Sequence, residues 1–358
     1  MILERLKRLR AKFEEHDIDA LLVAQAENRR YLSGFDGSAG YLLITQDEAV
    51  LATDSRYLLQ AAAQAPDYQV FTVKGEMKDW LPELVGDLGN LRLGFEAAAV
   101  SFSLYRRLSD ILKGVKPGLR MVPVTDLVET LRAVKDAVEI DFITRAAAIS
   151  DAAFEQTAAW ARPGITELEL AWELERLMRE AGSEALPFEV IVAAGPNAAK
   201  PHHHPSARPI AAGEPVVIDI GAGVGGYASD LSRTICLGGG DGEFGRIYDA
   251  VLAAQLAAIA LIEAGMSGEE ADRTARIVIE EVGLGEAFGH SLGHGVGLAA
   301  HELPRLGAGS SSVLTDGMVF TVEPGVYLAG WGGVRIEDTV TLESGKIKVI
   351  SKSRKVRD

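Results

Sequence analysis

Two carboxylates set into apolar, strand-like runs raise the first chemical question in this sequence. The run "VVIDI" (216–220) has the near-continuous hydrophobic character of a strand covered on both faces, yet Asp219 sits within it. A glycine-rich turn follows, and the run "YASDLSRTICL" carries Asp230, 11 residues further on. A hairpin turning on Val224 and Gly225 sets Asp219 directly across from Asp230, with both carboxylates on one face and close enough to repel. A second acid pair lies downstream. Glu323 ends "MVFTVE" and Glu337 sits in "GGVRIEDTVTL", symmetric about Gly330 in a Gly/Trp-rich turn. Four carboxylates converging from apolar strands are very costly without a compensating cation.

Two repairs are open. Arg233 and Arg335 are placed to pair with the acids, or a divalent metal turns their repulsion into binding energy. A neighbouring imidazole favours the metal: "FGHSLGHGVGLAAHE" offers His290, His294 and His301, with glycines that allow close backbone approach around His294. Four carboxylates and one imidazole exceed the needs of one ordinary ion. They fit two ions sharing bridging carboxylates, the arrangement of two-metal hydrolases. Taken singly, each residue reads as ordinary. A strand acid is usually salt-bridged or surface-facing, a lone His is usually packed and hydrogen-bonded, and "HHH" at 202–204 reads as a solvated loop. The joint pattern carries the chemistry.

The elements that must position these residues fall into two regions. Residues 1–125 alternate strand runs ("ALLVA", "GYLLIT", "AVLAT", "YQVFTV", "LRLGF", "LRMVPV") with helical ones ("SRYLLQAAAQA", "KDWLPELVGDL", "FSLYRRLSDIL"), which predicts an α/β domain. A polar helical stretch over 126–140 marks the boundary, and 141–358 forms the second domain. That domain contains a repeat at an offset of 101: Gly164, Thr166, Glu169 and Gly182 match Gly265, Ser267, Glu270 and Gly283. Thr166 with Glu169, and Ser267 with Glu270, each make a capping box, and Gly182 and Gly283 suit the left-handed residue that ends a helix. Each repeat begins with a long Ala-rich helix, near 138–161 and 243–264, and leads into strands. The expectation is a duplicated helix-helix-strand-strand unit whose site lies between the halves.

Composition narrows the partners. A net charge of −15, from 36 basic and 51 acidic residues, argues against nucleic acid or an anionic membrane surface. The lone cysteine, Cys236, cannot form an intramolecular disulfide and reads as a buried, inert thiol suited to a reducing compartment. "MILERLKRLRAKFEEHDIDA" reads as a charged amphipathic helix rather than a signal peptide. The most apolar stretch, 250–264, is too short to span a bilayer, is broken by Gln255, and reads as a core helix. A cytoplasmic location follows as the expectation.

With these residues in hand, "DIGAGVGGYASDLSRT", "GHGVGLAAHE", "FTVEPGVY" and "GGVRIEDTV" together resemble the pita-bread metallopeptidases, namely methionine aminopeptidase, aminopeptidase P and prolidase. The resemblance covers about 138–350. It implies an α+β pita-bread catalytic domain with an internal pseudo-two-fold repeat, in which Asp219, Asp230, His294, Glu323 and Glu337 bind two divalent metals, Asp230 and Glu337 serving both. "ENRRYLSGFDGSAGYLLIT" and "LATDSRYLLQAA" resemble the creatinase-like amino-terminal domain of the proline-specific branch. Creatinase itself lacks the metal-ligand set found here. In that branch "KPHHHPS" makes His202 an active-site histidine, and His290, Tyr327 and Arg335 match positions that contact substrate or support the ligands. Phe188, in "LPFEVIVAAGPN", either lines an apolar pocket or packs in the core.

The resemblance implies a dinuclear exopeptidase in which a metal-bridging hydroxide attacks the carbonyl before a proline in second position. Glu323 would shuttle the proton, and His301 and His202 would donate hydrogen bonds to the carbonyl oxygen. Manganese is the first expectation, with cobalt or zinc as alternatives, and the family expectation is a homodimer. "GFDGSAG" and "TDSRY" look more like the aminopeptidase branch, so an Xaa-Pro aminopeptidase is the main expectation. The alternative is an Xaa-Pro dipeptidase, with Arg29, Arg30 or Arg56 of a partner subunit capping the proline carboxylate. A non-catalytic binding protein on the same fold is disfavoured by the intact ligand set. A phosphotriester hydrolase leaves His202, His301 and the N-terminal domain unexplained.

Overall fold

Six short apolar strands, each bounded by a helix or a tight turn, build the N-terminal part of the chain. The structure is a computed structural model that describes residues 1–86, 88 and 91–355, in two units, Met1–Arg132 and Ala133–Asp358. In the first unit the strands β1 (Ala20–Val23), β2 (Tyr41–Thr45), β3 (Ala49–Thr53), β4 (Gln69–Thr72), β5 (Arg92–Glu96) and β6 (Arg120–Val124) form one sheet ordered β4-β3-β2-β1-β5-β6. β1, β2 and β3 pair antiparallel, while β4, β5 and β6 each join parallel to a neighbour. The helices are α1 (Ile2–Arg10), α2 (Ala26–Ser33), α3 (Leu58–Gln64), α4 (Met77–Leu84), α5 (Phe102–Val115) and α6 (Leu127–Ala133). α4 and α5 bury Trp80, Leu81, Leu84, Leu108 and Leu112 against Leu22, Leu43, Leu93 and Phe95. Each such side chain contributes about 1.5–3 kcal/mol on burial. The helix expected over 78–88 ends at Leu84, and its Asp87 lies outside the described residues.

The second unit repeats one plan twice. α7 (Ala137–Trp160) and α8 (Glu167–Glu180) pack on β7 (Ile191–Ala194), β8 (Pro215–Ile220) and β11 (Leu231–Cys236), with the small hairpin β9 (Gly223–Val224) and β10 (Tyr227–Ala228) at the turn. α9 (Gly242–Leu261) and α10 (Gly268–Glu281) pack on a sheet ordered β13-β12-β14-β17-β18. Those strands are β12 (Gly293–Gly295), β13 (Glu302–Leu306), β14 (Val319–Val322), β17 (Asp338–Glu343) and β18 (Lys346–Val349). The hairpin β15 (Gly325–Leu328) and β16 (Gly332–Arg335) lies between β14 and β17. Both capping boxes are formed, Thr166 with Glu169 and Ser267 with Glu270. The strap that reaches each helix start is duplicated too: Gly164 N bonds Ile210 O, and Gly265 N bonds Leu314 O, both at 2.8 Å.

Two local expectations change. Gly225 and Gly226 both hold positive φ, 59° and 81°, so the hairpin turns on this pair rather than on Val224 and Gly225. The ladder therefore sets Ser232, not Asp230, opposite Asp219. Asp230 lies two residues before Ser232, on the same side of the strand, so the carboxylates are diagonal neighbours. The apolar segment near 250–264 belongs to a 20-residue helix, long and apolar enough by itself to cross a membrane. One side of that helix is nevertheless buried in the core through Phe244, Ile247, Val251 and Ala258. Gln255 is also buried, bonding Asp338 Oδ2 and Lys355 Nζ.

Candidate metal centre and cleft

Strand ends in both halves of the second unit deliver the acids. Asp219 is the penultimate residue of β8, Asp230 immediately precedes β11, Glu323 follows β14, and Glu337 precedes β17. The β14–β17 and β15–β16 ladders share one register, pairing Val322 with Asp338 and Gly325 with Arg335. Glu323 and Glu337 therefore stand opposite each other in the gap between the ladders, where neither strand's own pairing covers them. His294 lies at a register shift between β12 and β13. A bulge of this kind re-aims a side chain. A Cβ on Gly293 would stand on the Thr321 carbonyl, and one on Gly295 on that of Leu303. Only glycine admits this close approach on both sides of His294.

The side chains meet. Asp230, His294 and Glu337 each present a ligand atom, and these lie within 4.8 Å of one another. His294 Nε2 is 3.3 Å from Glu323 Oε1 and 3.7 Å from Asp230 Oδ2. His294 Nδ1 donates to Gly295 O at 3.1 Å, which turns Nε2 toward the acids. Burial, and then the negative charges of Glu337, Asp219 and Glu323, push the Asp230 carboxyl well above its ordinary range. Burial, then Glu323 and Asp219, do the same to Glu337. Burial also drives Glu323 upward, but the His294 hydrogen bond and charge outweigh it and hold Glu323 below its usual value.

Of the two repairs, the structure uses the arginine once. Arg335 Nη2 donates to Asp219 Oδ2 at 2.7 Å. Arg233 turns instead to Asp338, at 2.8 Å. Among the described residues no Arg or Lys pairs with Asp230, Glu323 or Glu337. Asp219 Oδ1 is buried without a hydrogen-bond partner. A buried, partnerless carboxylate oxygen beside an oxygen-rich set with one imidazole nitrogen fits divalent cations.

A cleft of about 500 Å³ opens over these residues, a volume ordinary for a small-molecule site. Phe188 lines it, which resolves the two readings of that residue in favour of the wall, and so do His202, His290, His301 and Arg335. His301 stacks on His294 with ring centroids 3.8 Å apart. The run 202–204 is not simply a solvated loop. All three histidines line the cleft, and His203 Nε2 lies 3.0 Å from Glu167 Oε2. Glu167, fully buried in the first turn of α8, also accepts from the backbone of Ala194 and Ser206, the Asn197 amide and the Ser206 hydroxyl. Those bonds fix the loop that carries His202.

Tyr327 and Arg335 stand where they can support the expected ligands. Tyr327 does not line the cleft: its hydroxyl lies 3.0 Å from His290 Nε2 and accepts from Arg335 Nη1 at 3.0 Å. Arg335 does reach the cleft, yet its nitrogens are engaged by Ser232 Oγ, Pro201 O, Tyr327 and Asp219. Both therefore support Asp219 and His290 from behind. Of the three arginines expected as caps from a partner subunit, Arg29 binds the carbonyls of Gly37 and Gly40 within its own chain, and Arg56 binds Asp54. Sequence reading missed Arg305. It pairs with His294 across the β12–β13 ladder, lines the cleft, and has no acidic partner among the described residues. Its signal was weak, a single Arg four residues after His301, and its meaning depends on strand pairing.

Comparison with known proteins gives concordant matches. A model of metallopeptidase family M24 matches residues 141–344, and one of the creatinase/prolidase N-terminal domain matches residues 5–134. The solved structure of an Xaa-Pro dipeptidase from Bacillus anthracis is 41% identical, with a TM-score of 0.95 over 100% of this chain and 99% of that one. An X-Pro aminopeptidase structure from Thermotoga maritima is 38% identical, with a TM-score of 0.88 over 98% of both chains. An Xaa-Pro dipeptidase from Pyrococcus furiosus is 35% identical over 98% of this chain and 99% of its own length.

Proposed function

This chain belongs to metallopeptidase family M24, a family of hydrolases, and we propose that it is an Xaa-Pro dipeptidase. The sequence alone favoured an aminopeptidase open to long peptides. The relatives that support the dipeptidase instead include the Bacillus anthracis and Pyrococcus furiosus proteins, both called Xaa-Pro dipeptidases. The observation that carries the proposal is Arg305, a guanidinium without an acidic partner, inside the cleft and opposite His294. A dipeptide ends in a carboxylate one residue beyond the scissile bond, and arginine binds a carboxylate with two parallel N–H donors. A longer peptide has a neutral amide there.

In this reading Asp219, Asp230, His294, Glu323 and Glu337 hold two divalent ions, manganese first, with cobalt or zinc as alternatives. Such ions supply Lewis acidity: they acidify water and polarise a carbonyl. Glu323 holds and passes the proton that moves to the leaving prolyl nitrogen. His202 and His301 donate hydrogen bonds to the carbonyl oxygen as it gains charge. Phe188 packs on the proline ring, whose nitrogen carries no hydrogen for an ordinary peptidase to grip. Arg335, Tyr327 and His290 keep Asp219 aimed. A cytoplasmic homodimer remains the family expectation and forms part of the proposal.

The test compares an Xaa-Pro dipeptide with an Xaa-Pro-containing pentapeptide in the presence of manganese. Hydrolysis of the dipeptide with kcat/KM about 30-fold above the pentapeptide is expected, since a charge-assisted pair between Arg305 and the carboxylate is worth about 2 kcal/mol. Equal cleavage of both would return the aminopeptidase reading.

A further inference from the structure

We infer that Arg233 and Asp338, sealed by chain segment 351–355, are positioning residues that aim the carboxylates of Asp230 and Glu337. The inference rests on those two carboxylates being metal ligands, and it concerns the opposite side of their strands. Neighbouring strand residues point to opposite faces. Glu337 faces the cleft, so Asp338 faces away, and Ser232 and Arg233 divide in the same manner.

Behind the cleft these residues form a buried polar network. Arg233 is 2% exposed and Asp338 fully buried. Arg233 Nη1 donates to the backbone carbonyls of Ser232 and Glu337, clamping one ligand strand to the other. Glu337 N donates to Ser232 O at 3.0 Å, and Thr339 Oγ1 donates to the carbonyl of Asp230 at 2.8 Å. Asp338 Oδ1 accepts from Arg233 Nη2, and its Oδ2 accepts from Gln255 Nε2 at 2.8 Å and Lys355 Nζ at 2.5 Å.

The segment closes the network from outside. The backbone N–H groups of Lys352 and Ser353 donate to Asp151 at 2.7 and 2.8 Å, and Arg354 binds Glu155 through its backbone and side chain. Ser353 O accepts from Arg233 Nη2 at 2.9 Å, and Ser351 Oγ accepts from Thr339 N at 3.0 Å. A buried ion pair of this kind is no more stabilising than apolar residues of the same volume. What an apolar pair lacks is directionality. This network ties α7, α9, β11 and β17 at Asp338, next to Glu337, and at Arg233, three residues after Asp230. Supporting bonds of that kind hold metal ligands in place, and their loss typically weakens metal affinity 10–100-fold.

The experiment titrates Co²⁺ into full-length metal-free protein and into the Asp338→Asn, Lys355→Met and Lys355→Arg variants. Calorimetry gives affinity, the visible Co²⁺ spectrum gives ligand geometry, and thermal unfolding of the metal-free forms gives stability. Asp338→Asn is expected to bind Co²⁺ about 10–100-fold more weakly with an altered spectrum. Lys355→Met, at the accessible end of the network, is expected to shift in the same direction, and Lys355→Arg to restore wild-type affinity. Lys355→Met also keeps the test decisive should Asp338→Asn not fold. Variants that lose thermal stability but bind Co²⁺ with wild-type affinity and spectrum would overturn the inference and leave the network merely structural. Absence of Co²⁺ uptake by the wild-type protein would overturn the ligand reading beneath it, a separate result visible before any variant is measured.

Discussion

His294 and Arg305 face each other across the β12–β13 ladder, so one strand pair brings the imidazole of the acid cluster and a cleft-lining guanidinium to the same place. In the proposed reading, that relationship sets a carboxylate-binding guanidinium beside the metal ligands.

Removing the guanidinium therefore has a substrate-dependent effect. Arg305→Ala is expected to raise KM for an Xaa-Pro dipeptide about 30-fold or more, with a smaller change for the corresponding Xaa-Pro amide, because a charge-assisted pair is worth roughly 2 kcal/mol. Steady-state kinetics on the acid and amide forms checks this. An equal loss on both would remove Arg305 from carboxylate recognition.

Metal removal has a reading in stability as well as in rate. Manganese at about 100 times its Kd is expected to stabilise the fold by about 2.7 kcal/mol, and a chelator to abolish both this gain and peptide hydrolysis. In Asp230→Asn/Glu337→Gln protein the thermal shift on adding manganese is expected to vanish. A persistent shift would place the ion elsewhere.

Glu167 joins fold and site. Replacing it by Ala leaves the donors of Ala194, Asn197, Ser206 and His203 without their shared acceptor, at an expected cost of about 3 kcal/mol in urea unfolding. Peptidase activity is expected to fall with it, since the loop carrying His202 loses its anchor. Wild-type kcat/KM in a folded Glu167→Ala variant would show that the loop holds its position unaided.

The N-terminal unit has its own acid-sensitive contact. Asp19 accepts from Arg92 Nε at 2.9 Å, Nη2 at 2.6 Å and the backbone N–H at 2.8 Å. The side-chain bond, against a smaller opposing effect of burial, lowers its pKa to about 2. A carboxyl depressed by folding contributes stability above its unfolded value of 3.8, and that stability is lost as pH falls toward about 2. Asp19 is partly exposed, so solvent screening brings the contribution to about 1 kcal/mol. Asp19→Asn is expected to lower the urea midpoint at pH 6 and to converge on wild type near about pH 2. Parallel pH profiles for the two proteins would contradict this.

Local rules made much of the molecule readable in advance. The six N-terminal strands, both capping boxes and the glycines ending α8 and α10 depend on residues a few positions apart, and the structure has them all. The symmetric placement of Glu323 and Glu337 was equally legible, because one register runs through both ladders around Gly330. The first hairpin shows where such reading slips: the left-handed pair Gly225 and Gly226 seats the turn one residue later than expected.

By itself, then, the sequence determined which side chains could bind a cation, the strands that bear them and the duplication that brings them together, since alternation, capping and turn chemistry act over short spans. Only the tertiary structure decided which arginine answers which acid, that Tyr327 stands behind His290, and that Arg305 enters the cleft. Those assignments depend on distances between residues far apart in the chain, and no local pattern encodes them.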